Sequence, residues 1–490
     1  MRRTYRRCRR CRTSRRCSSS AAALAPVAAA ALLFLAAGAG RPLAAAGSGA
    51  APAAGAISAA STAGAVSAAP AGAAGAAAAS AAAPDLDPDL VAFYVDLHRN
   101  PELSLHEEKT AAKLAERLRR LGFEVTTGVG GTGVVGVLRN GAGPTVMLRT
   151  ELDALPVEEK TGLPYASAVK TRNDAGLEVP VMHACGHDVH MTVWVGTAAR
   201  MVQARAGWHG TLVLIAQPAE EVVKGAKAML ADGLYSRFPK PDYVVALHDT
   251  PKLPAGKLGY TPGYILASSD SVDVTIYGKG GHGAAPQTTI DPVVIAARTV
   301  LAWQTIVSRE KDPQEPAVVT VGSIHGGTKH NIIPDEVKLQ LTVRTYSQEV
   351  RRHVLDAIAR IARAEAAAAG AVREPAVAVV ESTAATWNDP KLTARVAAAL
   401  SHALGAGNVV ESPREMASED FSEYGLAGVP AVMVRLGAAD PEALAKATAA
   451  GVELPSLHSS LFAPDRDPTL RTGVAAETAM LLDLLGKPAG

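Results

Sequence analysis

Between residues 182 and 191 the chain reads Met-His-Ala-Cys-Gly-His-Asp-Val-His-Met, which puts Cys185, His187, Asp188 and His190 within six positions. A thiol, imidazoles and a carboxylate are the donors that first-row divalent ions prefer, and their density here exceeds what a packed core requires. The stretch is read as a metal site. Thirty residues on, Gln217-Pro-Ala-Glu-Glu221 sets Glu220 and Glu221 directly after an apolar run, Thr211 to Ala216. Consecutive side chains diverge, so one carboxylate can hold metal while its neighbour moves a proton. Asp153, His248 and His458 are further polar residues, Asp153 and His248 near strand ends and His458 near the C-terminus. A mixed set larger than one tetrahedral ion needs points to two ions sharing a ligand, an arrangement that activates water and polarises a carbonyl. The competing reading is a packed loop with incidental histidines, and the number of convergent donors weighs against it.

Such donors need elements to hold them. Apolar periodicity predicts helices over 88–99 and 106–121, the second stopped by Gly122, then strands at 123–127, 132–138 and 145–149. The last strand runs into Glu151-Leu-Asp153, and carboxylates at such an end face the crevice where α/β sheets place their chemistry. A helix (191–204), a strand (211–216), a helix (223–232) and a strand (242–248) ending on His248 follow. This alternation predicts an open α/β sheet. From 268 to 381 the order becomes βαββαβ, that of a ferredoxin-like unit, after which a helix (390–404), a strand (431–436) and a helix (468–485) restore the α/β pattern. The expected fold class is therefore α/β, with a discontinuous catalytic domain (85–267 and 382–490) interrupted by an inserted ferredoxin-like domain (268–381).

The remaining N-terminal residues read differently. Nine arginines precede an apolar run from Ala21 to Ala37 and small residues around Leu43-Ala44-Ala45-Ala46, the layout of an export signal over 1–46. The run is shorter than the ~20 residues a bilayer span needs, so no stable membrane anchor is expected. Residues 47–84 are Ala, Gly and Ser with little else, the composition of a flexible linker. No acidic residue precedes Asp85 while ten arginines do, so the body carries 39 basic against 47 acidic residues. An acidic body gives no support to nucleic-acid binding. Cys8, Cys11 and Cys17 leave with the signal, and Cys185 becomes the only thiol, better protected in an oxidising compartment as a metal thiolate than free.

In sum the chain resembles the M20 metallopeptidases, in particular the branch of hippurate hydrolases, N-acyl-amino-acid amidohydrolases and auxin-conjugate hydrolases. The likeness runs from about Val91 to Leu485 and rests on Asn100-Pro-Glu-Leu-Ser104, Leu152-Asp-Ala-Leu-Pro156, Met182-His-Ala-Cys-Gly-His-Asp188, Gln217-Pro-Ala-Glu-Glu221, Gly280-Gly-His-Gly-Ala-Ala-Pro286, Asp291-Pro292, Asn331-Ile-Ile-Pro334, Ser418-Glu-Asp-Phe421 and Leu457-His-Ser459. The resemblance implies two divalent ions per subunit, bridged by Cys185 and completed by His187, Glu221, His248 and His458. It implies Glu220 as general base, Asp153 as the residue orienting a ligand, and His282 and Asn331 as oxyanion donors reaching in from the inserted domain, often across a dimer. The inserted domain would then be lid and dimerisation surface of a homodimer. Glu151 stands where many relatives have aspartate, and Ser460 where proline is usual; both leave the proposed ligands in place.

Other residues carry weaker signals. Arg344 in Thr342-Val-Arg-Thr345 is a candidate partner for a substrate carboxylate, since a guanidinium grips one with two parallel hydrogen bonds. His98, His106, His209, His353 and His402 lack clustered partners and are read as surface or cap residues, and the polar segment 165–180 as a solvated loop. The expected function is a metal-dependent amidohydrolase acting on small N-acyl or N-aminoacyl amino acids through metal-activated water. Zinc suits the thiolate and imidazoles best, with manganese, cobalt or nickel as alternatives. A periplasmic carboxypeptidase or dipeptidase is the nearest alternative activity. A silent metal-dependent peptide-binding protein is the alternative of another class, against which Glu220 argues.

Overall fold

Runs such as Thr145–Glu151 and Ala431–Ala439 are buried along nearly their whole length, so they fit only a sheet covered on both faces. The computed structural model describes residues 86–486, and the export signal and linker lie outside them. Eight strands form one mixed sheet in the order Glu124–Val129, Gly133–Asn140, Gly210–Gln217, Thr145–Glu151, Tyr243–Pro254, Ala431–Ala439, Leu258–Tyr260, Val409–Glu411. Its centre is parallel, from Gly210–Gln217 through Ala431–Ala439. On one face, helices Pro88–Arg99, His187–Gln203, Pro390–Leu404 and Arg466–Leu485 close a core around Leu97, Leu148, Trp194 and Leu481. On the other, Gly225–Ala231 and Ser422–Leu426 pack through Met229 and Tyr424 onto Val213 and Ile215.

The inserted segment is a second sheet of four strands, Ser269–Tyr277, Ala317–Gly326, Glu336–Thr345 and Ala376–Thr383. All neighbours are antiparallel and the order is second, third, first, fourth, which is the ferredoxin-like arrangement. Helices Pro292–Thr305 and Gln348–Ala368 cover one face, where Trp303 donates its indole N–H to the Ile358 carbonyl at 3.0 Å. Strand Ser269–Tyr277 alternates buried with half-exposed residues, as expected for a sheet covered on one side only.

Three elements differ from expectation. The helix expected at 191–204 begins at His187, because Gly186 adopts a left-handed conformation that turns the chain directly into it. The strand expected to end on His248 continues to Pro254, because Ala431–Ala439 pairs with it as far as Thr250 and again at Pro254, so His248 sits inside a strand. The segment 165–180 is not a plain loop but contains a hairpin of Lys170–Arg172 with Glu178–Pro180. Among the described residues no helix is long and apolar enough to cross a membrane.

Candidate metal centre and active site

The site is built at the carboxyl ends of the parallel strands. Gly186 carries φ of +75°, and a Cβ there would fall 2.3 Å from Asp249 Oδ2, so both conformation and space call for glycine. This turn sets Cys185 just before, and His187 at, the start of a 17-residue helix. His187 Nδ1 donates to the Asp153 carbonyl at 2.8 Å, which fixes the tautomer and leaves Nε2 with its lone pair available. Asp153 is in turn held by Ser104 Oγ at 2.7 Å and the Glu221 amide at 2.9 Å. His248 Nδ1 likewise donates to the Asp249 carbonyl at 2.9 Å, and its Nε2 lies 3.6 Å from Cys185 Sγ.

The remaining donors close around this pair. His458, held at φ of +66° with its amide on the Ala184 carbonyl at 2.8 Å, places Nε2 3.2 Å from Cys185 Sγ and 3.4 Å from Glu221 Oε2. His187 Nε2 is 3.9 Å from both Glu220 Oε2 and Glu221 Oε1. Donor atoms of Cys185, Glu221 and His458 lie within 4.8 Å of one another, as do those of His187, Glu220 and Glu221. His187 Nε2 and Glu221 Oε1 are buried without a hydrogen-bond partner among the described residues, which native interiors rarely tolerate unless a ligand satisfies them. The donor set therefore fits two divalent ions, with Cys185 touching both histidines that a bridging thiolate would serve.

Electrostatics agree with a site made for cations. Burial, reinforced by Glu221 and Glu220, pushes the Cys185 thiol up, and a thiol so placed ionises when a cation compensates it. Burial, Glu419 and Glu221 raise Glu220 well above the usual carboxylate range, the direction a proton-transfer group needs. Burial raises Glu221 to about 7 against the pull of His187. Burial works against a charge on His187, but Asp153, Glu151 and Glu221 outweigh it and lift the imidazole to about 10. The same carboxylates that retain a proton there favour a metal ion in its stead.

Cys185, Glu220, Glu221, His248 and His458 line a cavity of about 510 Å³ whose walls include Ile265, Leu266 and Met433. Arg344 faces it from the inserted sheet, donating to Ser418 Oγ at 2.9 Å. His282 and Asn331 are not among the lining residues. They sit together where Gly281–His282 pairs with Ile332–Ile333. The flanking glycines serve that pairing, since a Cβ on Gly280 would meet the Ile333 carbonyl at 2.7 Å. His282 Nδ1 accepts from the Ala284 amide at 3.0 Å, so its exposed Nε2 carries the proton and is a donor.

Several buried groups take positions the sequence reading did not foresee, among them His190, which it placed with the metal donors and whose two ring nitrogens are engaged by protein groups instead. His190 donates through Nδ1 to Glu151 Oε2 at 2.9 Å and accepts the Asp249 amide on Nε2 at 2.9 Å, tying the helix to the His248 strand. Arg149 is fully buried among Glu151, Glu419 and Asp420, with Nη2 2.7 Å from Glu419 Oε1. His98, expected at the surface, is buried between Asp188 Oδ2 at 2.6 Å and Glu159 Oε1 at 3.1 Å. Its signal was present, for it continues the helical stripe Leu90, Phe93, Tyr94, Leu97.

A three-layer α/β domain with an inserted ferredoxin-like domain and a buried Cys, His and Glu donor set that fits paired ions defines a two-domain metallohydrolase. Residues 147–459 match the model of Peptidase family M20/M25/M40. The chain is 37% identical over 396 residues, 80% of its length and 94% of the relative's, to thermostable carboxypeptidase 2 of Saccharolobus solfataricus. It is 41% identical over 280 residues, 57% of its length and 70% of the relative's, to hippurate hydrolase of Campylobacter jejuni. A solved dinuclear metal-binding peptidase of the M20 family from Bacillus subtilis superposes with a TM-score of 0.65 at 28% identity, covering 81% of this chain and 98% of that one. The chain belongs to the M20 family, and it is a hydrolase of amide bonds.

Proposed function

We propose that this chain hydrolyses the amide of small N-acyl or N-aminoacyl amino acids with two divalent ions, zinc before manganese, cobalt or nickel. The observation that carries the reading is Glu220 set beside the Cys185, Glu221, His248 and His458 donors in the lining of a cavity faced by Arg344, with His187 Nε2 3.9 Å from Glu220 Oε2. Cys185, His187, Glu221, His248 and His458 would hold the ions, which when bound would supply Lewis acidity to the scissile carbonyl and lower the pKa of the attacking water. Glu220 takes the proton from the attacking water and delivers it to the departing nitrogen. Arg344 Nη2 makes no hydrogen bond among the described residues and is free to grip the leaving amino acid's carboxylate. Asp153 holds the His187 ring in place.

His282 Nε2–H and Asn331 supply the oxyanion donors. They lie outside the cavity lining of their own chain, which favours donation across a homodimer formed through the inserted domain. Export, to the periplasm or beyond, is part of the reading and rests on the arginine-rich, apolar N-terminal layout. A carboxypeptidase acting on short peptides is the second reading, favoured by the likeness to the Saccharolobus enzyme over 94% of that chain. A silent binding protein would have no use for Glu220.

The test is hydrolysis of hippurate, N-acetyl amino acids and dipeptides by metal-loaded wild type and Glu220→Gln. The variant is expected to lose at least roughly 100-fold in kcat with unchanged metal content. Wild type that binds metal and cleaves none of the panel would overturn the reading.

A further inference from the structure

The cavity carries a second guanidinium besides Arg344. Arg435 lines it from the strand Ala431–Ala439, and its register partner on the neighbouring parallel strand is His248. Registered residues of adjacent strands project from the same face, so Arg435 stands beside a metal-ligand position. It is 8% exposed, yet poorly compensated. Its Nη1 is 3.4 Å from Glu415 Oε2, its Nη2 donates to the Ile265 carbonyl at 3.4 Å, and its Nε has no partner among the described residues. Glu415 is shared, for Lys252 Nζ lies 3.4 Å from its other oxygen. Burial lowers Arg435 from the usual guanidinium value despite Glu415, and Arg344 is lowered in the same direction.

A buried guanidinium with one long, shared ion pair and an unpartnered N–H costs stability, and an arriving anion would offset that cost. We propose that Arg435 binds a second anionic group of the substrate, so that the preferred substrates are N-acyl amino acids bearing an extra carboxylate. That carboxylate is carried either by the amino-acid side chain or by the far end of the acyl group. The inference rests on the amidohydrolase reading and on Arg344 taking the α-carboxylate. It narrows the substrate class from N-acyl amino acids in general to dianions.

The test compares kcat/KM on N-acetyl-L-glutamate, N-succinyl-L-alanine and N-acetyl-L-alanine for metal-loaded wild type and Arg435→Gln. Wild type is expected to prefer one of the two dianions, and which one tells whether Arg435 serves the amino-acid or the acyl side. Arg435→Gln is expected to lose that preference by roughly 10- to 100-fold, mostly in KM, with N-acetyl-L-alanine turned over as before. Equal loss on all three substrates marks Arg435 as a structural pin and overturns the proposal. Cleavage by wild type without preference overturns it while leaving the amidohydrolase reading intact, and cleavage of none sinks both. Glu415→Gln guards against a misfolded Arg435 variant: freeing the guanidinium is expected to raise kcat/KM on the preferred dianion several-fold relative to N-acetyl-L-alanine, and no rise counts against the proposal.

Discussion

At single positions the site depends on groups that never touch metal. A methyl at Gly186 would add left-handed strain of roughly 1–2 kcal/mol to a clash with the Asp249 carboxylate. Gly186→Ala is expected to weaken metal affinity and lower the melting temperature, which titration calorimetry and thermal unfolding read separately. His98 gives a pH signature. Burial opposes its charge, but hydrogen bonds to Asp188 and Glu159 raise it from 6.5 to about 10. A folded value above the unfolded one means a stabilisation complete below pH 6.5 and lost as pH rises through 10. His98→Gln is expected to cost on the order of 3 kcal/mol at acidic pH, because it strips the shared cation from two buried carboxylates. The variant is also expected to flatten the wild type's decline over that window; urea unfolding at about pH 6 and about pH 9.5 shows whether it does.

Between elements, the central device is Arg149. It leaves the strand Thr145–Glu151 and joins Glu419 and Asp420, which precede the helix Ser422–Leu426, while Gln217 accepts from its Nε at 3.0 Å. Arg149→Met would leave three buried carboxylates facing one another, and a loss of about 3–5 kcal/mol is expected in chemical denaturation. An unchanged midpoint would mean those carboxylates are already neutral. This network shows where sequence reading stops. Elements with a strong period, such as 390–404 and the six of the inserted domain, were legible to within a few residues, because burial of one face dictates their spacing. The metal donors were legible because their types crowd into short motifs. The buried pairings of Arg149, Glu151, His190 and Asp249 were not, although Glu151 and His190 were noticed as residues, for the partners lie as much as 271 residues apart and only the folded sheet brings them together. Arg435 was not singled out, because only the pairing of its strand with that of His248 brings it, buried, to the cavity.

For the whole molecule, the cores of both domains lie within residues 86–486. Removal of residues 1–84 is expected to leave melting temperature and kcat/KM unchanged, as differential scanning calorimetry and a hippurate assay would register. If the site is completed across a dimer, mixing inactive Glu220→Gln with inactive His282→Ala is expected to restore roughly a quarter of wild-type activity by statistical exchange of subunits, and no recovery would argue for a self-sufficient protomer. Cys185 and His458, 3.2 Å apart in space, are separated by 273 residues of chain. Ions held jointly by these two residues would be a reversible cross-link that ties off more than half of the folded polymer as one ring. Closing so long a ring removes much of the unfolded chain's freedom, as a long-range disulfide does. Metal supply would then govern how long the protein survives proteases, as well as how fast it works.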